Sequence, residues 1–138
     1  MVNTIDMQGL RHLNLFLKIT RISTKYCFTY NNVIIFAVPK NLVSKALGRD
    51  VANLKRMSNI LKKRVKVVAI PNGIEDVKTL IASIVSPVTF KDVEVKDDYV
   101  ILTAGPQNKA ALIGRNKRRL IEMQEIVKDF FHKEFRIV

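Results

Sequence analysis

Residues 33–57 read VIIFAVPKNLVSKALGRDVANLKRM. An apolar run, a short helical stretch, a glycine and a basic helical stretch follow one another there. The same series returns 66 residues later, so that Ile35, Gly48, Arg49, Leu54, Met57, Ile60 and Lys62 fall on Ile101, Gly114, Arg115, Leu120, Met123, Ile126 and Lys128. A period of this length is too long for a solenoid repeat and suits a small duplicated domain.

The repeat extends outward on both sides. Asn31-Asn32 and Asp97-Asp98 occupy matching places between strand-like runs, and each reads as a two-residue hairpin turn, because Asn and Asp tolerate the positive φ such turns need. Val93 and Val95 alternate with Asp92, Glu94 and Lys96, the pattern of a half-buried strand. Before each hairpin a helical stripe is expected: Leu10, Leu13 and Leu17 with Phe16 in the first copy, and Ile74, Val77, Ile81 and Ile84 in the second. Pro87 ends or bends the second of these helices.

After the hairpins come short helices over 41–47 and 107–113, each stopping at a glycine. Longer helices follow, with inward stripes Leu54, Met57, Ile60 and Leu61 in one copy and Leu120, Met123, Ile126, Val127 and Phe130 in the other. Strands over 65–68 and 135–138 close the copies, now offset by 70, so the second long helix is expected to be about one turn longer. The expected fold is α+β, with helix, strand, strand, helix, helix, strand occurring twice. Its domains are residues 1–70 and 71–138, each a three-stranded mixed sheet with helices on one face.

Charge follows the same division. The chain of 138 residues has a formal net charge of +12. Residues 40–68 contain nine basic residues and one acid, residues 69–106 three basic and six acidic ones, and residues 107–119 five basic ones and no acid. Two separate basic blocks, each centred on a glycine turn, suggest two copies of one element that meets a polyanion. Each turn leads into a helix N-terminus, where backbone N–H groups and the positive dipole end favour an anion. Arg49 and Arg115 lie inside the turns; Lys45, Lys55 and Arg56, or Arg118 and Arg119, flank them. Ile34 to Phe36 and Val100 to Leu102 are candidates for an apolar floor under unstacked bases.

At these turns the sequence resembles the KH domain, whose GxxG turn clamps single-stranded nucleic acid. Placing the helix before the hairpin matches the type II version. Gly48-Arg49-Asp50-Val51 and Gly114-Arg115-Asn116-Lys117 both depart from the family pattern at the second glycine. The tandem arrangement, carried by residues 33–57 and by LIGRNKRRLIEM at 112–123, is similar to the archaeal NusA-like proteins. That resemblance implies a transcription elongation or termination factor that binds nascent single-stranded RNA and acts with RNA polymerase.

Other readings have less behind them. Residues 43–54 also fit a helix-turn-helix DNA-binding regulator, but that motif explains neither the hairpin nor the second copy. A ribosome-associated KH protein would use the same RNA chemistry. Cys27 reads as a core residue, His12 and His132 as isolated side chains, and Glu122, Glu125 and Asp129 as a solvated helix face. Neither a metal set nor a catalytic motif stands out, so the expectation is a protein that is not an enzyme and needs no cofactor. A single cysteine, an apolar run no longer than Val33 to Val38, and a start, MVNTIDMQGL, without signal-peptide character point to a cytoplasmic monomer without a membrane partner.

Overall fold

The computed structural model describes residues 7–138, and most of the segment MVNTIDMQGL lies outside the described residues. The chain divides between Ile70 and Pro71 into two units of the same element order. The first contains α1 (Met7–Thr20), β1 (Tyr26–Tyr30), β2 (Val33–Val38), α2 (Val43–Leu47), α3 (Ala52–Leu61) and β3 (Arg64–Ala69). The second contains α4 (Val77–Val85), β4 (Asp92–Lys96), β5 (Tyr99–Thr103), α5 (Pro106–Ile113), α6 (Arg118–Phe131) and β6 (Glu134–Ile137). The described residues thus form an α+β fold with six α-helices and two three-stranded mixed sheets. None of the helices described is long and apolar enough to cross a membrane.

In each sheet the hairpin is antiparallel and the closing strand adds parallel to its second strand, which becomes the central one. Asn31 and Asn32 both take positive φ, at 51° and 62°, and close the first hairpin at the Tyr30–Val33 pair. Only Asp97 does so in the second, with φ of 50°. The α6 helix has 14 residues against 10 in α3, and both stop at a left-handed residue, Lys62 or His132.

The pleat sends Ile34, Phe36 and Val38 to one face of the first sheet, where they pack with Phe16 of α1, Ala46 of α2, Met57 of α3 and Val65 of β3. Phe16 stacks on Phe36 with ring centroids 4.4 Å apart. The alternate residues Val33, Ile35 and Ala37 are buried as well, so β2 is dry on both faces. Thr20, the buried polar residue that ends α1, donates to the Phe16 carbonyl and accepts from the Ile22 amide, so its hydroxyl is satisfied.

The second unit buries Val100 and Leu102 of β5, Phe135 of β6, Leu112 of α5, and Met123, Ile126 and Val127 of α6. The Lys78 ammonium on α4 donates to the Asp92 carboxylate on β4 at 2.9 Å.

Some residues expected on inward stripes lie outside. Leu10 and Leu17 are exposed because Phe16 and Thr20 set the inner face of α1, and both leucines sit about 100–120° round the helix from Phe16. Ile60 is exposed in the last turn of the shorter α3, whereas its counterpart Ile126 is buried in mid-α6. Ile74 belongs to a single 3-10 turn ahead of α4, and Val95 is exposed on an edge strand with a neighbour on one side alone. The α4 helix ends at Val85, just before Pro87.

Two outcomes follow. Phe36→Ala should lower unfolding free energy by about 3–5 kcal/mol in urea denaturation, since it removes a fully buried ring from between helices and sheet. The hydrogen bond from Lys78, the Val93 amide and the Lys78 charge hold the Asp92 carboxyl below the usual carboxylate range. A depressed carboxylate contributes stability above its unfolded pKa and loses it as pH falls through the folded value. Lys78→Ala should therefore raise the Asp92 titration midpoint read by carboxyl NMR, and stability-versus-pH curves of the two proteins should converge on the acid side.

Candidate functional site

The two glycine turns have nearly the same backbone. Gly48 and Gly114 take φ/ψ of 79°/173° and 75°/172°. Asp50 and Val51 then occupy the left-handed region at 53°/36° and 52°/31°, as do Asn116 and Lys117 at 57°/27° and 59°/22°. Asn and Asp accept this conformation readily; a β-branched valine is an outlier there. Matching hydrogen bonds close both turns: Val51 N–H to the Gly48 carbonyl and Lys117 N–H to the Gly114 carbonyl, each at 3.2 Å.

The turn leads directly into α3 or α6, and no side chain caps either helix start. The next amides, of Ala52 and Arg118, are likewise bonded within the turn, to the Arg49 and Arg115 carbonyls, and the helix start that follows adds its positive dipole end. The arrangement suits an anionic oxygen.

Around the first turn, Lys45 on α2, Arg49, Asp50 and Val51 in the turn, and Lys55 and Arg56 on α3 are all exposed. Around the second, Arg115, Asn116, Lys117 and Arg118 are exposed. Gly48 and Gly114 are half-buried. Arg119 stands apart from the other basic residues: it is half-buried, and its Nη1 donates to the Ala111 carbonyl at 2.8 Å. In the first copy Asn53, the residue matched to Arg119, points its Nδ2 at the Lys45 carbonyl at 3.5 Å. Sequence reading missed Asn53 because it is neutral, although it stands at the same 66-residue offset from Arg119 as the two glycines do from each other.

The strand residues expected as a floor for bases are not available as one. Ile34, Ile35, Phe36, Val100 and Leu102 are all buried, because the inner sheet face is filled by helices and central strands have neighbours on both sides; only Ile101 is partly open. The large exposed apolar side chains nearest in sequence to the turns are Val51 and Ile121.

Folding also pairs two residues that the sequence separates. His12 Nδ1 of α1 lies 4.0 Å from Cys27 Sγ of β1, so neither is isolated, while Cys27 packs against the first core. Glu125 is exposed, but Glu122 and Asp129 are half-buried, so that helix face is not fully solvated. The described residues contain no group of three or more His, Cys, Asp or Glu side chains placed to hold a metal ion. Burial, with the nearby Arg64 charge, lowers the Lys66 ammonium pKa from its ordinary value.

These turns, set in duplicate on two mixed sheets, define an α+β protein with two matched glycine turns at helix junctions. Its fold is similar to that in a crystal structure of APE1850, with 22% sequence identity, a TM-score of 0.66, and coverage of 96% of this chain and 99% of that one. No family model and no curated protein matches the chain.

A Cβ at Gly114 would meet the Arg119 Cγ at 2.9 Å, on a backbone whose φ of 75° already disfavours L side chains. Gly114→Ala should accordingly destabilise the protein by about 1 kcal/mol or more in chemical denaturation.

Proposed function

We propose that the chain is a non-enzymatic, cytoplasmic RNA-binding protein built from two type II KH domains, which captures single-stranded RNA by its phosphates at Gly48 to Val51 and Gly114 to Lys117. The observation that carries this reading is the pair of turns: a glycine and two left-handed residues at matching positions, each at the uncapped start of a helix and within a basic stretch. Backbone amides and arginines hold phosphates without regard to sequence, and the unpaired bases remain free to meet side chains. With the strand residues buried, Val51 and Ile121 are the large exposed apolar side chains nearest the turns in sequence for that second contact.

A role in transcription elongation or termination, as in NusA-like factors, follows from the resemblance of residues 33–57 and 112–123 to that family. RNA polymerase is the partner this role requires, and a pull-down of the polymerase by the full chain tests it.

RNA capture is tested by titrating single-stranded RNA and duplex DNA against the protein across a range of salt concentrations. With roughly six phosphates neutralised, the log–log slope for single-stranded RNA should be about −4, and RNA should bind better than duplex DNA. Arg115→Asp combined with Lys117→Asp should remove most of the affinity while circular dichroism stays unchanged. A slope near zero, or preference for duplex DNA, would overturn the reading.

A further inference from the structure

We propose that Arg119 is a positioning residue for the second turn and not one of its phosphate ligands, acting as a clasp that Asn53 provides more weakly in the first. This rests on the phosphate-capture reading above. Its support lies in where the guanidinium goes. Arg119 Nη1 donates to the Ala111 carbonyl at 2.8 Å, and Ala111 lies in the last turn of α5, where carbonyls run out of intrahelical N–H partners. A cation at a helix C-terminus is favourable both as a donor and against the dipole. One side chain at the start of α6 therefore ties down the end of α5 across the turn.

The stem of the same side chain covers the glycine. A Cβ at Gly114 would approach the Arg119 Cγ, Cβ and Cδ at 2.9, 3.1 and 3.2 Å, so Gly114 leaves the space through which the stem passes. The first copy repeats the arrangement with a shorter residue. Asn53 Nδ2 lies 3.5 Å from the Lys45 carbonyl, at the outer limit of a hydrogen bond, and Asn53 Cγ would meet a Cβ at Gly48 at 2.8 Å. Asn53 with Lys45 and Arg119 with Ala111 stand 66 residues apart, as the turns do. A common geometry built from a neutral amide in one copy and a guanidinium in the other assigns the position to bracing the turn, since net charge there is not shared.

A ligand and a clasp leave different marks on salt dependence. Each phosphate contact contributes about 0.7 to the slope for a single strand, whereas a brace sets how well the turn is formed at every salt concentration. The experiment uses the full chain, an oligouridylate, and the variants Arg119→Ala, Arg119→Asn and Arg118→Ala. Affinity is measured against salt, and the amide signals of residues 114–117 are recorded by NMR without RNA.

Arg119→Ala should weaken binding by about tenfold at all salt concentrations with the slope unchanged, and should shift those amide signals in the free protein. Arg119→Asn, which installs the first copy's residue, should restore most of both. Arg118→Ala should make the slope shallower by about 0.7 and leave the turn amides of the free protein in place. A slope shallower by about 0.7 in Arg119→Ala, or free-protein amide signals that do not move, would overturn the clasp. If the wild-type protein binds no oligouridylate, the RNA reading fails, and the amide signals of the Arg119 variants still decide the clasp.

Discussion

Two consecutive left-handed residues after a glycine are the constraint on which each half of the molecule depends. They turn the chain from a short helix into a long one within four residues, and the long helix must then lay its apolar face on the sheet and deliver the chain to a strand beside the central one. Non-glycine residues in sparsely populated conformations cost on the order of 1–3 kcal/mol each, so the surrounding structure has to hold them. It does so from both ends. Met57 and Met123 anchor the following helices in the cores, and the Asn53 and Arg119 side chains reach back over the glycines to the preceding helices. Val51 makes the constraint plainest, because a β-branched residue has the least reason to adopt this conformation on its own.

The same backbone carries different chemistry in the two copies. Arg49 shares its turn with Asp50 and Val51, while Arg115 is followed by Asn116, Lys117 and Arg118. Positive charge in the first copy reappears farther along the helix as Lys55 and Arg56, where the second copy has Ile121 and Glu122. Placed on one geometry, these differences make the second turn the more cationic site and move the cationic surface of the first onto the flank of α3.

What could be read from sequence was what is local. The hairpins, the glycine stops and the one-turn difference between the long helices follow from turn chemistry and period, and those are decided within a few residues. Burial was harder, because it is decided by what lies across from a residue. The run Val33 to Val38 reads as apolar on both faces, which is how a strand with a parallel neighbour looks, yet nothing in the run says that helices fill the face carrying Ile34 and Phe36. Leu10, Leu17 and Ile60 likewise fit a helical stripe but fall at its margins, where the width of the contact decides. Of the site, composition and spacing located the turns. They gave Arg119 a charge without a direction, passed over Asn53 for having none, and could not bring His12 to Cys27 across 15 residues of chain.

Comparing the two copies separates residues that folding requires from those it leaves free. The inner faces agree in kind: Ile34 with Val100, Phe36 with Leu102, Met57 with Met123, all buried. The other faces of the first strands do not, since Tyr26, Phe28 and Tyr30 stand where the second copy has Asp92, Glu94 and Lys96. Those strand positions therefore differ in character between the copies. Arg49 and Arg115 are exposed and buttress no core, yet they are identical and follow identical glycines on matching backbones. Packing supplies no reason for an exposed arginine in both, whereas the phosphate proposed over each turn would supply one.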